Sequence, residues 1–140
     1  MFWDSSAIVP LLVPEARSVA LAALLRSEPE VVLWWASPVE CQSALHRQRR
    51  EGALPVALLD GALVRLRGLI EDADFVAPTR RVRERAGRLL AAHPLRAGDA
   101  LQLAAALVWC DEAPHGTGFV CLDERLRGPA HLEGFNVLPA

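Results

Sequence analysis

The sequence predicts an α/β domain in which a central, mostly parallel β-sheet is flanked by helices on both faces. Three observations lead there. Short apolar runs of strand length alternate with longer segments of helical composition, and strands joined by helical crossovers run parallel. One of those runs, VVLWWA (31–36), is continuously apolar and rich in β-branched and aromatic residues, as suits a strand buried on both faces. With 140 residues, about half of them apolar, and no internal repeat, low-complexity tract or long linker, the chain reads as one domain over 1–140.

The elements follow in order. MFW ahead of Asp4 is a short first strand, and AIVPLLV with EARSVALAALLRSE is helical material broken by Pro10 and Pro14. VVLWWA is the second strand. SPVECQSALHRQRREG opens a helix with Ser37 as cap, Pro38 at the first position and Gly52 as stop. PVALLDGALVRLRGLIED is a further helix; DFVAP connects it to TRRVRERAGRLLAAH, and RAGDALQLAAALVWCDEA is the next helix. GFVCLD is a late strand, ERLRGPAHLEG a helical turn or two, and FNVLP a last strand. In an open sheet of this kind ligands bind beyond the carboxyl ends of the strands, where the topology changes direction.

Composition narrows the function. The N-terminal stretch has no basic leader and is interrupted by Asp4, so neither a signal peptide nor a membrane span is expected, and the protein reads as soluble and cytoplasmic. Cys41, Cys110 and Cys121 are odd in number and form no C-x-x-C pair, which argues against a disulfide or zinc framework. The net charge of −2 does not advertise a nucleic-acid binder, although all 15 basic residues are Arg. There is no G-x-G-x-x-G, Walker A or G-x-S-x-G motif, which removes the dinucleotide, P-loop and serine hydrolase classes.

The acids are more informative. Asp4 ends the first strand, Glu40 opens the helix after VVLWWA, and Asp123 ends the GFVCLD strand, so all three belong on the carboxyl rim of the sheet. Asp99 joins them if its helix starts at that rim. Each acid also has a purely structural reading: Asp4 and Asp123 as helix N-caps, Asp99 as a complement to the positive helix end, and Ser37 to Glu40 as a capping box. Taken together, four carboxylates on one rim repel and raise each other's pKa values unless cations hold them. The chain contains no Lys. A hard divalent cation with oxygen ligands, Mg²⁺ or Mn²⁺, is the natural partner, and phosphodiester hydrolysis is the chemistry such a site performs best.

These residues resemble a known family. DSSA, the acid in SPVECQSAL, the RAGDALQLAAAL helix and the closing FVCLDERL with EGFNVLP resemble a PIN-domain ribonuclease of the VapC toxin type, and RAGDALQLAAAL is the most specific piece. The resemblance implies a PIN-like three-layer fold and Mg²⁺-dependent cleavage of RNA. It implies that Asp4, Glu40, Asp99 and Asp123 are the catalytic acids, with Asp4, Asp99 and Asp123 binding the metal. Ser6 matches the hydroxyl residue of the family's D-x-[ST] opening. It further implies a homodimer and a small cognate antitoxin that blocks the site. Many relatives carry Thr or Ser two residues before the final Asp; this chain has Cys121, a weaker hydrogen-bonding group.

Other features have expected roles. Arg81, Arg85 and Arg88 share one helical face and are candidates for holding an RNA backbone; Arg47, Arg49 and Arg50 follow Glu40 on its own helix. Trp34 and Trp35 face opposite sides of the sheet, Trp109 is expected in the core, and the four His residues are expected at the surface or in loops. Two functions compete with the nuclease. A receiver-type phosphoacceptor domain relies on a Lys that is missing, and a catalytically silent PIN-like module would keep the fold as a binding partner. A phosphatase of the haloacid dehalogenase type would want D-x-D where this chain has DSSA.

Overall fold

Side chains along the three inner strands alternate between two buried layers, so the sheet must be covered on both faces. Phe2, Val32, Trp34 and Phe119 point into one layer, while Trp3, Leu33 and Val120 point into the other. The computed structural model, which describes residues 1–140, has five strands: β1 (Phe2–Trp3), β2 (Val32–Trp34), β3 (Asp74–Val76), β4 (Gly118–Val120) and β5 (Asn136–Leu138). They form one sheet in the order β3-β2-β1-β4-β5, with every neighbouring pair parallel.

Seven helices complete the three layers: α1 (Ser5–Leu12), α2 (Ser18–Ser27), α3 (Ser37–Arg50), α4 (Val56–Glu71), α5 (Arg80–Ala92), α6 (Ala97–Trp109) and α7 (Glu124–Leu132). Apolar residues of α1 to α4, among them Ile8, Leu21, Leu45 and Leu66, pack on one face. Val82 and Leu89 of α5, the Ala and Leu residues of α6, and Leu126 of α7 pack on the other. The helix after β1 and the helix after β4 therefore leave toward opposite faces. Because β1 and β4 are adjacent, their carboxyl ends open a crevice between diverging chains, which is where such folds bind ligands.

Several expectations change. DFVAP contains the edge strand β3, which makes the sheet wholly parallel; its residues are largely exposed, so it lacks the apolar run that marks the inner strands. Pro10 lies inside α1 and does not break it, while Pro14 follows its end. Trp109, expected in the core, is 40% exposed at the end of α6, with its ring 6.4 Å from that of Phe2. His93 lies in the loop after α5, but its ring is largely covered and Nε2 sits 2.8 Å from Glu133 Oε1. All three cysteines are free; Cys41 and Cys121 are buried, and burial pushes the Cys41 thiol up to about 12.

Candidate active site

The crevice is a cleft of about 560 Å³, and Asp4, Ser6, Glu40, Asp99 and Asp123 all line it. Four separate segments supply those acids, and helix N-termini deliver them. Asp4 is the N-cap of α1 and accepts from the Ser6 N–H at 3.0 Å; Asp123 is the N-cap of α7 and accepts from the Arg125 N–H at 2.9 Å. Asp99 sits in the first turn of α6 and accepts from the Arg96 N–H at 3.2 Å. The capping reading and the shared-cleft reading are thus both true of the same residues. Partial positive charge at three helix starts faces the carboxylates and favours their gathering.

Asp4 is the deepest of the four, only 4% exposed. Burial raises its carboxyl from 3.8 to about 6; hydrogen bonds from Ser6 oppose the shift, and the Glu40 charge adds to it. Ser6 Oγ donates to Asp4 Oδ2 and accepts from the backbone N–H groups of Leu122, at 2.9 Å, and Asp123, at 3.2 Å. One hydroxyl thereby ties the start of α1 to the chain leaving β4. Cys121 Sγ lies 3.6 Å from Asp4 Oδ2 and 3.7 Å from Ser6 Oγ, so the thiol occupies hydrogen-bonding range of the deepest acid.

Glu40 is placed differently from the expectation. Helix α3 starts one residue earlier, with Ala36 as its N-cap, and no side chain caps it. The Ser37 to Glu40 capping box does not form. Ser37 is fully buried and accepts from Gln102 Nε2 at 3.0 Å, and the same nitrogen donates to Glu40 Oε2 at 2.6 Å. A long-range amide has taken over the two groups that the local pattern would have paired with each other. Gln102 carried only a faint sequence signal, being the single polar residue in the apolar run that follows Asp99.

The Arg residues divide in a way the sequence did not indicate. Arg81, Arg85 and Arg88 do not line the cleft. Arg81 is half exposed and paired with Asp111 at 2.8 Å, while Arg85 is largely covered and bridges Glu112 at 3.0 Å and Glu133 at 2.6 Å. Arg88 is exposed. The two basic residues on the cleft are Arg47 and Arg125. Arg47 follows Glu40 by seven residues along the same face of α3 and makes no ion pair. Arg125 lies against Asp123 at 3.2 Å.

The donor set, four carboxylates and a hydroxyl, fits a hard divalent cation in chemical kind. Each acid is turned toward an internal donor, and no three His, Cys, Asp or Glu side chains stand close enough to hold an ion as they are placed. Forming a coordination sphere therefore requires at least some of these side chains to change rotamer within the cleft.

A family model for the PIN domain matches residues 1–131. Among solved structures, FitAcB from Neisseria gonorrhoeae is similar with a TM-score of 0.67 and 16% identity, covering 96% of this chain and 96% of that one. Identity at that level speaks for the fold alone. No curated protein matches the sequence significantly. PIN domains are generally nucleases and typically use divalent metal ions. The family match over nearly the whole chain, together with the all-parallel three-layer fold, places this protein in the PIN-domain family.

Proposed function

We propose that the protein is a metal-dependent endoribonuclease of the VapC toxin type, hydrolysing RNA phosphodiesters in the acidic cleft. The observation that carries the reading is that four acids from four distant chain segments line one cleft. Asp4, Asp99 and Asp123 would hold Mg²⁺, or Mn²⁺ in its place, and Glu40 would complete the set directly or through water. A cation so held polarises the phosphate, lowers the pKa of the attacking water and stabilises the leaving oxygen.

The chain's own residues supply the rest. Ser6 orients Asp4 by donating to Oδ2. Gln102 engages Glu40 Oε2, which leaves Oε1 facing the cleft, where it would meet the cation directly or through a water. Arg47, unpaired at the rim, grips a phosphate next to the one being cut. By its resemblance to these toxins the protein would form a homodimer in the cytoplasm and be neutralised by a cognate antitoxin. Val56, Leu58 and Val64, exposed on α4, offer a protein partner apolar surface to bury. No helix is long and apolar enough to cross a membrane.

The second reading is a catalytically silent PIN-like module, in which the same cleft would serve only as a binding surface for RNA or protein. Cleavage of a mixed RNA pool by antitoxin-free protein separates the two. The nuclease cuts with Mg²⁺, stops in EDTA, and is inactive as a folded Asp99→Asn variant. Folded wild-type protein that cuts nothing with Mg²⁺ or Mn²⁺ selects the silent module.

A further inference from the structure

We propose that Gln102 is a positioning residue of the acidic cleft, fixing the Glu40 carboxylate for cation binding. The proposal rests on the reading of the cleft given above and extends it to a residue outside the acidic set. Gln102 is 1% exposed, one turn beyond Asp99 on α6, amid Leu103, Ala104, Ala105 and Ala106, all buried. Its Nε2 divides its two hydrogens between Glu40 Oε2 at 2.6 Å and Ser37 Oγ at 3.0 Å. The orientation of the amide is fixed by chemistry. Turned over, it would set its carbonyl oxygen against the Glu40 carboxylate at the same short distance, oxygen to oxygen.

That orientation leaves Gln102 Oε1 buried without a donor. An unpaired buried carbonyl lowers stability, and a Leu or Met of similar length would avoid the loss. Its bond to the buried Ser37 hydroxyl is a structural role, but the shorter of its two bonds goes to the cleft carboxylate of Glu40, and packing alone does not account for that one. What it does accomplish is local to the cleft. A short bond from an amide to a charged oxygen is strong and directional, so it stops Glu40 from swinging out to solvent and leaves one defined oxygen for the cleft. It also couples α3 to α6 across the end of the sheet, since these helices pack on opposite faces and carry Glu40 and Asp99. Partners that orient ligating carboxylates in this way govern metal affinity without touching the metal.

The test is a double-mutant cycle on Mn²⁺ affinity, read by titration calorimetry on the full chain, with melting temperatures alongside. Gln102→Met removes the orphaned oxygen but strands Ser37 Oγ and Glu40 Oε2, so it should stay folded with a melting temperature at or somewhat below wild type, and should bind Mn²⁺ about 10-fold more weakly. In a Glu40→Gln background the same substitution should change affinity by less than about twofold. Gln102→Asn, too short to reach Glu40, provides the same comparison should the Met variant fail to fold. Wild-type affinity in the folded Gln102 variants, or an equal loss with and without Glu40, overturns the proposal alone. A wild-type protein that binds no Mn²⁺ overturns the reading of the cleft and the proposal with it.

Discussion

Replacing Asp4 with Asn should stabilise the metal-free protein while abolishing its cleavage of RNA. Burial lifts the Asp4 carboxyl from 3.8 to about 6, a difference of about two pKa units and so roughly 3 kcal/mol of penalty on the ionised form. The sign follows from proton binding. Below pH 3.8 the group is protonated in both folded and unfolded states and costs nothing. As pH rises from there through about 6, the unfolded chain gives up its proton first, and stability falls until the folded protein ionises too. Asn keeps the shape and places an amide oxygen where Ser6 and Cys121 now donate to Oδ2, without the charge. In EDTA at pH 7.5 the variant should gain about 1–3 kcal/mol, or roughly 3–10 °C in melting temperature for a chain of this length. The gain should vanish near pH 3.5, and Mg²⁺ should raise the melting point of wild type but not of the variant. A variant less stable than wild type at pH 7.5, or a difference independent of pH, would show that Asp4 is not held at a desolvation cost.

Four further outcomes are expected. Arg47→Ala should weaken RNA binding measured in EDTA and lower its salt dependence by about 0.7 in log–log slope, leaving the fold intact; an unchanged slope removes Arg47 from the substrate path. Arg85→Ala should cost about 2 kcal/mol by stranding Glu112 and Glu133, and leave RNA affinity unaltered. Burial raises the Glu133 carboxyl, but hydrogen bonds from His93 and Arg85 outweigh it and hold the group below its usual 4.5, so its contribution is present above 4.5 and lost as pH falls through the lowered value; acid melts of Glu133→Gln should lack that component. Cys121→Ser, which puts a stronger donor near Asp4 Oδ2, should hold or raise the cleavage rate, and a fall would show that the thiol is needed for packing at the base of the cleft.

Which features were legible in the sequence depended on whether their cause was local. Asp4, Glu40 and Asp123 could be assigned to one rim because a parallel sheet forces the ends of its strands together, and that rule needs only the order of apolar runs. Asp99 needed one more fact, the end of the domain at which α6 begins. The strand β3 was illegible because Asp74 to Val76 are an exposed edge whose strand character comes from pairing with β2, some 40 residues earlier. Ser37 and Glu40 followed a sound local pattern that lost to Gln102, 62 residues beyond Glu40. Helical spacing placed Arg81 and Arg85 on one face but could not reveal what stands opposite. That is a tight turn with positive φ at Asp111 (51°) and Glu112 (61°), together with Glu133 at the end of α7; Asp111 pairs with Arg81, and Glu112 and Glu133 both pair with Arg85.

Anomalous scattering from a crystal of the antitoxin-free protein soaked in Mn²⁺ tests most directly whether the four acids gather around a divalent cation. The expected result is a peak in the cleft in direct contact with carboxylate oxygens of Asp4, Asp99 and Asp123, with Glu40 touching the ion or one of its waters. A well-ordered cleft with no peak at saturating Mn²⁺, or a peak bound elsewhere on the molecule, contradicts it.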